Sequence, residues 1–206
     1  MKVLLINGSP HEKGCTYTAL SLIAGELNAA GIETEILNVG TKPVGGCIGC
    51  GGCAVGKGCV FGGVVNEAIE KAKTADAFVF GTPVHYASAS GNMTSFMDRL
   101  AYAGGRYLAY KPAAICCSAR RAGTTSTLDQ LVKYPEFFHM PLVSGSYWPM
   151  VHGSNPEQVL QDAEGCAVMQ ELGRNMAWLL RCIEAGKAAG IQHPENPRRP
   201  MTNFIR

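Results

Sequence analysis

Short runs of branched apolar residues alternate along this chain with longer stretches whose apolar positions recur every three or four residues. Lys2–Asn7 (KVLLIN) is a continuous apolar run closed by Gly8 and predicts a buried parallel strand. Residues 16–30 follow with helix-forming composition and apolar positions at 19, 22, 23 and 27. Glu33–Asn38 (ETEILN) predicts a second strand, and Val64–Thr74 a helix with Val64, Val65, Ala68, Ile69 and Ala72 near one face. Strands are expected at 76–81 (DAFVFG) and 113–117 (AAICC), and helices at 92–102, 124–138 and 164–188. A fifth, weaker strand is expected within 141–147. Residues 39–63 are rich in Gly and Cys, show no period, and read as loop.

Strand and helix alternate from end to end, which predicts an α/β fold with a parallel sheet covered on both faces. Right-handed crossovers with five strands give the doubly wound order 2-1-3-4-5. Residues 1–189 then form one domain carrying a cysteine-rich loop at 45–60, followed by an extended tail, 190–206, with Pro194, Pro197 and Pro200. In such a sheet ligands bind beyond the carboxyl ends of the strands, so the loops after strands one, three and four are the ones to read.

The first loop, GSPHEKGCT (8–16), joins strand to helix and offers the hydroxyls of Ser9 and Thr16 with the amides of a helix start, groups suited to a phosphate. It departs from the nucleoside-triphosphate loop pattern, which weakens that reading: its glycines are one position too far apart, and Cys15 stands where the lysine belongs. A flavin mononucleotide phosphate, which needs no Mg²⁺-positioning lysine, suits it better; a simple helix cap accounts for the same residues. After the third strand, GTPVHYASASGNM (81–93) is dominated by small residues that let backbone approach a flat ring, with Tyr86 able to lie against it and amides near Ala87 able to bond its polar edge. After the fourth strand, SARRAGTT (118–125) sets Arg120 and Arg121 at a strand end, where a guanidinium can stack on a ring or stabilise an anionic reduced flavin.

Composition changes this picture little. With 206 residues, 47% hydrophobic, 17% charged and a net charge of +2, the chain is a balanced enzyme-sized domain without the basic stripe of a nucleic-acid binder. The apolar run in MKVLLING is too short for a secretory leader, and no run suits a membrane span, so a cytoplasmic location is expected. In that compartment nine cysteines do not read as a disulfide framework. Four of them, Cys47, Cys50, Cys53 and Cys59, lie in GGCIGCGGCAVGKGC. Two successive C-x2-C steps suit a [4Fe–4S] group, and the interleaved glycines permit a tight wrap. Zinc fits three cysteines in seven residues poorly, while free or redox-active thiols remain an alternative. Cys116, Cys117, Cys166 and Cys182 read as small buried hydrophobes, and Trp148 and Trp178 as packing residues. His85 lies beside the expected ring site, and His152 reads as a satisfied loop histidine.

LLINGSPHEKGCT, VFGTPVHYASASGNM, SARRAGTTSTLDQL and YWPMVHG with the following DAEG and LGRNMAWLL resemble the NAD(P)H-dependent FMN reductases of the flavodoxin-like fold, over nearly the whole chain. The C-x2-C-x2-C-x5-C run resembles that of the iron–sulfur flavoprotein branch, where it binds [4Fe–4S] next to FMN. The resemblance implies a three-layer sandwich. It implies phosphate contacts from Ser9, His11, Cys15 and Thr16, a ring site at Pro83, Val84, His85, Tyr86 and Ala87, and an opposite wall of Ala119, Arg120, Arg121 and Gly123. Relatives often carry Asn in place of Cys15, a basic residue at His11, and acidic residues where Gly62 and Gly63 follow the last cysteine here. The expected activity is an FMN-dependent oxidoreductase taking hydride from NAD(P)H and reducing a quinone, nitro or azo compound, metal ion or flavin, with no side chain obliged to act as acid or base. The second reading is an electron carrier fed by ferredoxin, and the third a thiol or metal sensor. A homodimer or homotetramer is implied as well, with a neighbour's residues closing the flavin site; the tail reads either as a segment lying across such a partner or as a disordered terminus.

Overall fold

A computed structural model describes residues 1–196 and residue 202. β1 (Lys2–Asn7), β2 (Glu33–Asn38), β3 (Ala77–His85), β5 (Ala113–Ala119) and β6 (Met150–His152) make a parallel sheet in the order β2-β1-β3-β5-β6. This is the doubly wound order read from the sequence, with a sixth strand added: β4 (Ser88–Ala89) folds back antiparallel on the end of β3. The helices are α1 (Cys15–Ala29), α2 (Val64–Thr74), α3 (Gly91–Gly104), α4 (Thr124–Phe137), the short α5 (Pro156–Val159) and α6 (Ala163–Ala188).

Strand residues point alternately to the two faces, so each strand contributes to two cores. Leu4, Ile6, Phe78, Phe80, Ile115 and Cys117 pack under α2, α3 and α4. Val3, Leu5, Val79, Ala114 and Cys116 pack under α1 and α6. Continuous apolar runs are what a strand covered on both faces requires, which is why β1, β3 and β5 were legible.

Three expectations need correction. The fifth parallel strand is Met150–His152, not 141–147; the latter pairs with the sheet through an isolated bridge between Ala113 and Leu142 and buries Val143 in the core beside it. Trp148 and Trp178 are largely exposed rather than packed. Of the four cysteines read as buried, Cys116 and Cys117 are, Cys166 is half-buried and Cys182 is exposed. Much of the predicted tail, 197–201 and 203–206, lies outside the described residues; before it, His193 stacks on Tyr110 of the same chain with ring centroids 4.5 Å apart. Among the described residues no helix is long and apolar enough to cross a membrane.

Candidate functional site

The first loop is held in shape by its own strand. Asn7, fully buried at the end of β1, accepts from the Ser9 amide (3.1 Å) and donates to Glu12 O (3.2 Å) and Asn38 Oδ1 (2.8 Å). The Ser9 hydroxyl accepts from the His11 amide at 3.1 Å. Gly40, after β2, passes so close that a Cβ there would meet Gly8 O and Ser9 O at 2.4 Å. At the start of α1 the N-cap is Gly14 and no side chain caps it. The first-turn amides of Cys15, Thr16 and Tyr17 have no intrahelical acceptor, and the helix dipole adds positive potential there. Of the predicted phosphate residues, Ser9 is buried and His11 exposed. The Thr16 hydroxyl is already bonded to Ser118 Oγ at 2.8 Å, so Thr16 offers its amide. The Cys15 thiol donates to Gly153 O at 3.5 Å. Burial, with the Glu157 carboxylate in the same direction, raises its pKa and keeps it a neutral donor.

The second loop is a hairpin. Val84 pairs with Ala89 and His85 with Ser88, leaving Tyr86 and Ala87 as a two-residue turn. Both have positive φ, 50° and 58°, the geometry of a type I′ turn that Asn and Gly normally occupy. A non-glycine residue there costs about 1–2 kcal/mol, so the hairpin has to be held. Gln130 Oε1 accepts from the Ser88 hydroxyl and the Ala89 amide, and Ser126 donates to Ala87 O at 2.7 Å. The turn presents Tyr86 with its side chain fully exposed.

The third loop meets the other two. Gly123 has φ 94°, and a Cβ on it would lie 2.6 Å from the Cα of Ala87. Thr16 to Ser118 and Ser90 Oγ donating to Gly8 O (2.8 Å) tie loops one, two and three together, and the Gly153 amide, just after β6, donates to Ala119 O (3.0 Å). Ala119 is buried, and Arg120 and Arg121 are exposed beside it. His152 Nε2 donates to Arg121 O at 3.2 Å while its backbone amide donates to Asp162 Oδ2 at 2.7 Å, which braces this wall from β6. The sequence reading of His152 as satisfied fits these bonds, but it ends strand β6 rather than lying in a loop.

Between loop one, the hairpin and α3 lies a cleft of about 390 Å³ lined by Gly8, Pro10, Val44, His85, Ser90 and Asn92, among others. That volume falls in the roughly 300–1,000 Å³ range of small-molecule sites. Three larger hollows lie elsewhere: about 550 Å³ around Tyr110 and Lys111, about 600 Å³ under the 142–149 segment, and about 490 Å³ between α3 and α4 around Tyr102 and Tyr134. The first is at the amino edge of the sheet, away from the switch point at which such folds bind ligands.

The four loop cysteines line a separate cavity of about 250 Å³ together with Arg99, Tyr102 and Phe61. Among the described residues no three Cys, His, Asp or Glu side chains are already disposed around a metal position. Four thiols around one hollow nonetheless have the chemistry an iron–sulfur group needs, and Cys47 and Cys50 sit at its exposed rim. Asn66 and Arg99 belong to this site and were missed in the sequence. Asn66 accepts from the Cys59 amide (2.8 Å) and donates to Cys59 O (3.0 Å); Arg99 Nε donates to Cys59 Sγ (3.2 Å). The two hollows share α3: Asn92 and Ser95 line the cleft, and Arg99 and Ala103 the cysteine cavity. Ser95 and Arg99 are about one turn, roughly 6 Å, apart along the axis.

Sheet order and loops together give the protein the flavodoxin-like α/β fold. The chain belongs to the NADPH-dependent FMN reductase family, whose model matches residues 1–155. An iron-sulfur flavoprotein of Methanocaldococcus jannaschii is 28% identical over 89% of this chain and all of its own length. One from Archaeoglobus fulgidus is 30% identical over 91% of this chain and 96% of its own. Among solved structures, RosB with bound 8-demethyl-8-formylriboflavin-5'-phosphate has a TM-score of 0.69 at 14% identity, covering 100% of this chain and 92% of that one, a likeness of fold.

Proposed function

We propose that this protein is an FMN-dependent oxidoreductase that draws on NAD(P)H and reduces a small acceptor: a quinone, a nitro or azo compound, a metal ion or a second flavin. Cys47, Cys50, Cys53 and Cys59 hold a [4Fe–4S] group in this reading. The observation that carries it is the uncapped start of α1 at the carboxyl end of β1, tied by hydrogen bonds to the two loops that would enclose a ring.

Bound FMN would supply hydride acceptance and one-electron donation, and the iron–sulfur group single-electron storage. The chain's residues do the rest. The Ser9 hydroxyl and the amides of Cys15 and Thr16 receive the phosphate dianion, with His11 at the loop's outer side. Pro83, Val84, His85 and Ala87 form one wall of the ring site, and Tyr86 covers it from solvent. Ala119, Arg120, Arg121 and Gly123 form the other, where the guanidinium groups oppose negative charge that develops on reduction. Residues 1–189 act as the catalytic unit.

One observation favours a second reading, an electron carrier fed by ferredoxin: Cys47 and Cys50 are exposed at the cavity rim, so electrons have a route to a docked protein. The test is an absorbance spectrum and iron analysis on anaerobically purified protein, followed by steady-state NAD(P)H oxidation. Two resolved flavin bands, a broad brown shoulder and turnover with a small acceptor are expected. Turnover absent with every acceptor, beside rapid reduction by ferredoxin, selects the carrier. Protein that binds no flavin refutes both.

A further inference from the structure

We propose that Arg99 is the counter-charge of the four-cysteine cavity and sets how readily the group held there accepts an electron. The inference rests on the iron–sulfur reading above and deepens it.

Arg99 sits on the core-facing stripe of α3, between Phe96 and Ala103, and is only 6% exposed. A charge taken that far from water is costly unless it is paired. Among the described residues no carboxylate lies within ion-pair reach of it. Its neighbour Asp98 is engaged elsewhere, by the Tyr134 hydroxyl at 2.5 Å. The guanidinium instead donates from Nη1 to Gly45 O (3.3 Å), from Nη2 to Gly62 O (2.9 Å) and from Nε to Cys59 Sγ (3.2 Å), and lies 5.6 Å from the Phe61 ring centroid. Carbonyls and a ring satisfy its geometry but supply no formal negative charge.

The compensating anion has to come from the cavity. Four neutral thiols, or two disulfides, would leave the buried cation unpaired. Four thiolates on a metal group supply net negative charge, because such ligands bind deprotonated. The donor is aimed with care: Cys59 is fixed on its backbone by the two bonds it shares with Asn66, and Gly58 before it has φ 83°, where a Cβ would lie 2.9 Å from Asn66 Oδ1. The sulfur that meets Arg99 is therefore the best-anchored of the four. An N–H bond to a ligating sulfur and a nearby cation both favour the form carrying the extra electron.

The test compares full-length wild type, Arg99→Lys, Arg99→Met and Asn66→Ala, each reconstituted anaerobically with iron and sulfide. Midpoint potential is read by a redox titration followed by electron paramagnetic resonance, and iron retention by release to a chelator. Arg99→Met is expected to lower the equilibrium constant for reduction about tenfold, roughly 59 mV for a one-electron couple. Arg99→Lys, which keeps the charge and loses the planar fork, should fall between. Asn66→Ala loosens the same loop without removing charge; it should release iron faster at an unchanged potential. Arg99→Met that loses its iron while Arg99→Lys keeps it also supports the charge role. Wild-type potentials in both arginine variants overturn the proposal, as does iron loss from both that merely equals that of Asn66→Ala. A wild type that takes up no iron refutes the cluster reading first, and this proposal with it.

Discussion

The closest approach in the first loop gives the sharpest test of where a flavin phosphate sits. In Gly40→Ala the new methyl would lie 2.4 Å from Gly8 O and Ser9 O and 2.5 Å from Ser9 C, all backbone atoms. Ordinary contact begins at 3.4 Å, so the loop must move by about 1 Å. Overpacking of this kind costs ~1–3 kcal/mol, and at ~2–4 °C per kcal/mol the melting temperature should fall by several degrees. The displaced loop carries Ser9 away from its place beside the first turn of α1. One charge-assisted hydrogen bond to the phosphate lost at ~1.5–3 kcal/mol weakens FMN binding about 10- to 100-fold. Riboflavin has the ring but no phosphate, so its affinity should change little. Fluorescence-quenching titrations of apoprotein with both flavins measure the difference directly. Equal losses for FMN and riboflavin, or an unchanged FMN affinity in a variant whose melting temperature has fallen, would refute the placement of the phosphate.

Gly123→Ala makes the complementary change. Its Cβ would meet Ala87 Cα at 2.6 Å from a backbone at φ 94°, so the ring walls part and both flavins should lose affinity alike, again by titration. Alkylation of native apoprotein should label Cys47, Cys50 and Cys182 and spare Cys116 and Cys117: burial pushes the Cys117 thiol up to about 12 and Cys116 higher still, as peptide mass mapping would show. Hydrogen bonds from Lys2 and then Lys71 hold the Glu35 carboxyl below the ordinary carboxylate range. A depressed folded-state pKa contributes stability above the unfolded value of 4.5 that is lost as pH falls through the folded one. Glu35→Gln should therefore melt below wild type at neutral pH, with the gap closing in acid.

Much of the fold was legible because strands buried on both faces leave continuous apolar runs, as in KVLLIN and AAICC. The weak strand was misplaced because Met150–His152 is three residues long between Pro149 and Gly153, with no pattern to mark it, while 141–147 has apolar residues, Val143 among them in the core, but pairs with the sheet only at an isolated bridge among the described residues. The hairpin was hidden for another reason: its turn residues are Tyr86 and Ala87, and the Asn or Gly that signals a two-residue turn is missing. The cysteine run announced itself through local spacing. Its supports did not, since Arg99 and Asn66 act across 40 and 7 positions of sequence. A signal for Arg99 did exist: it is the lone charge on the stripe formed by Met93, Phe96, Leu100 and Ala103, where a helix needs a reason to bury one. Gly40 gave no sign, because its role is the close approach of two loops.

The most direct test of the account is an amide nuclear magnetic resonance titration of isotope-labelled apoprotein with FMN. The largest shifts should fall at residues 8–16, 83–87 and 119–123, with the amides of Cys15 and Thr16 moving with FMN and much less with riboflavin. Shifts gathered around Tyr110, Lys111 and His193 at the opposite edge of the sheet, or none at saturating FMN, would contradict it.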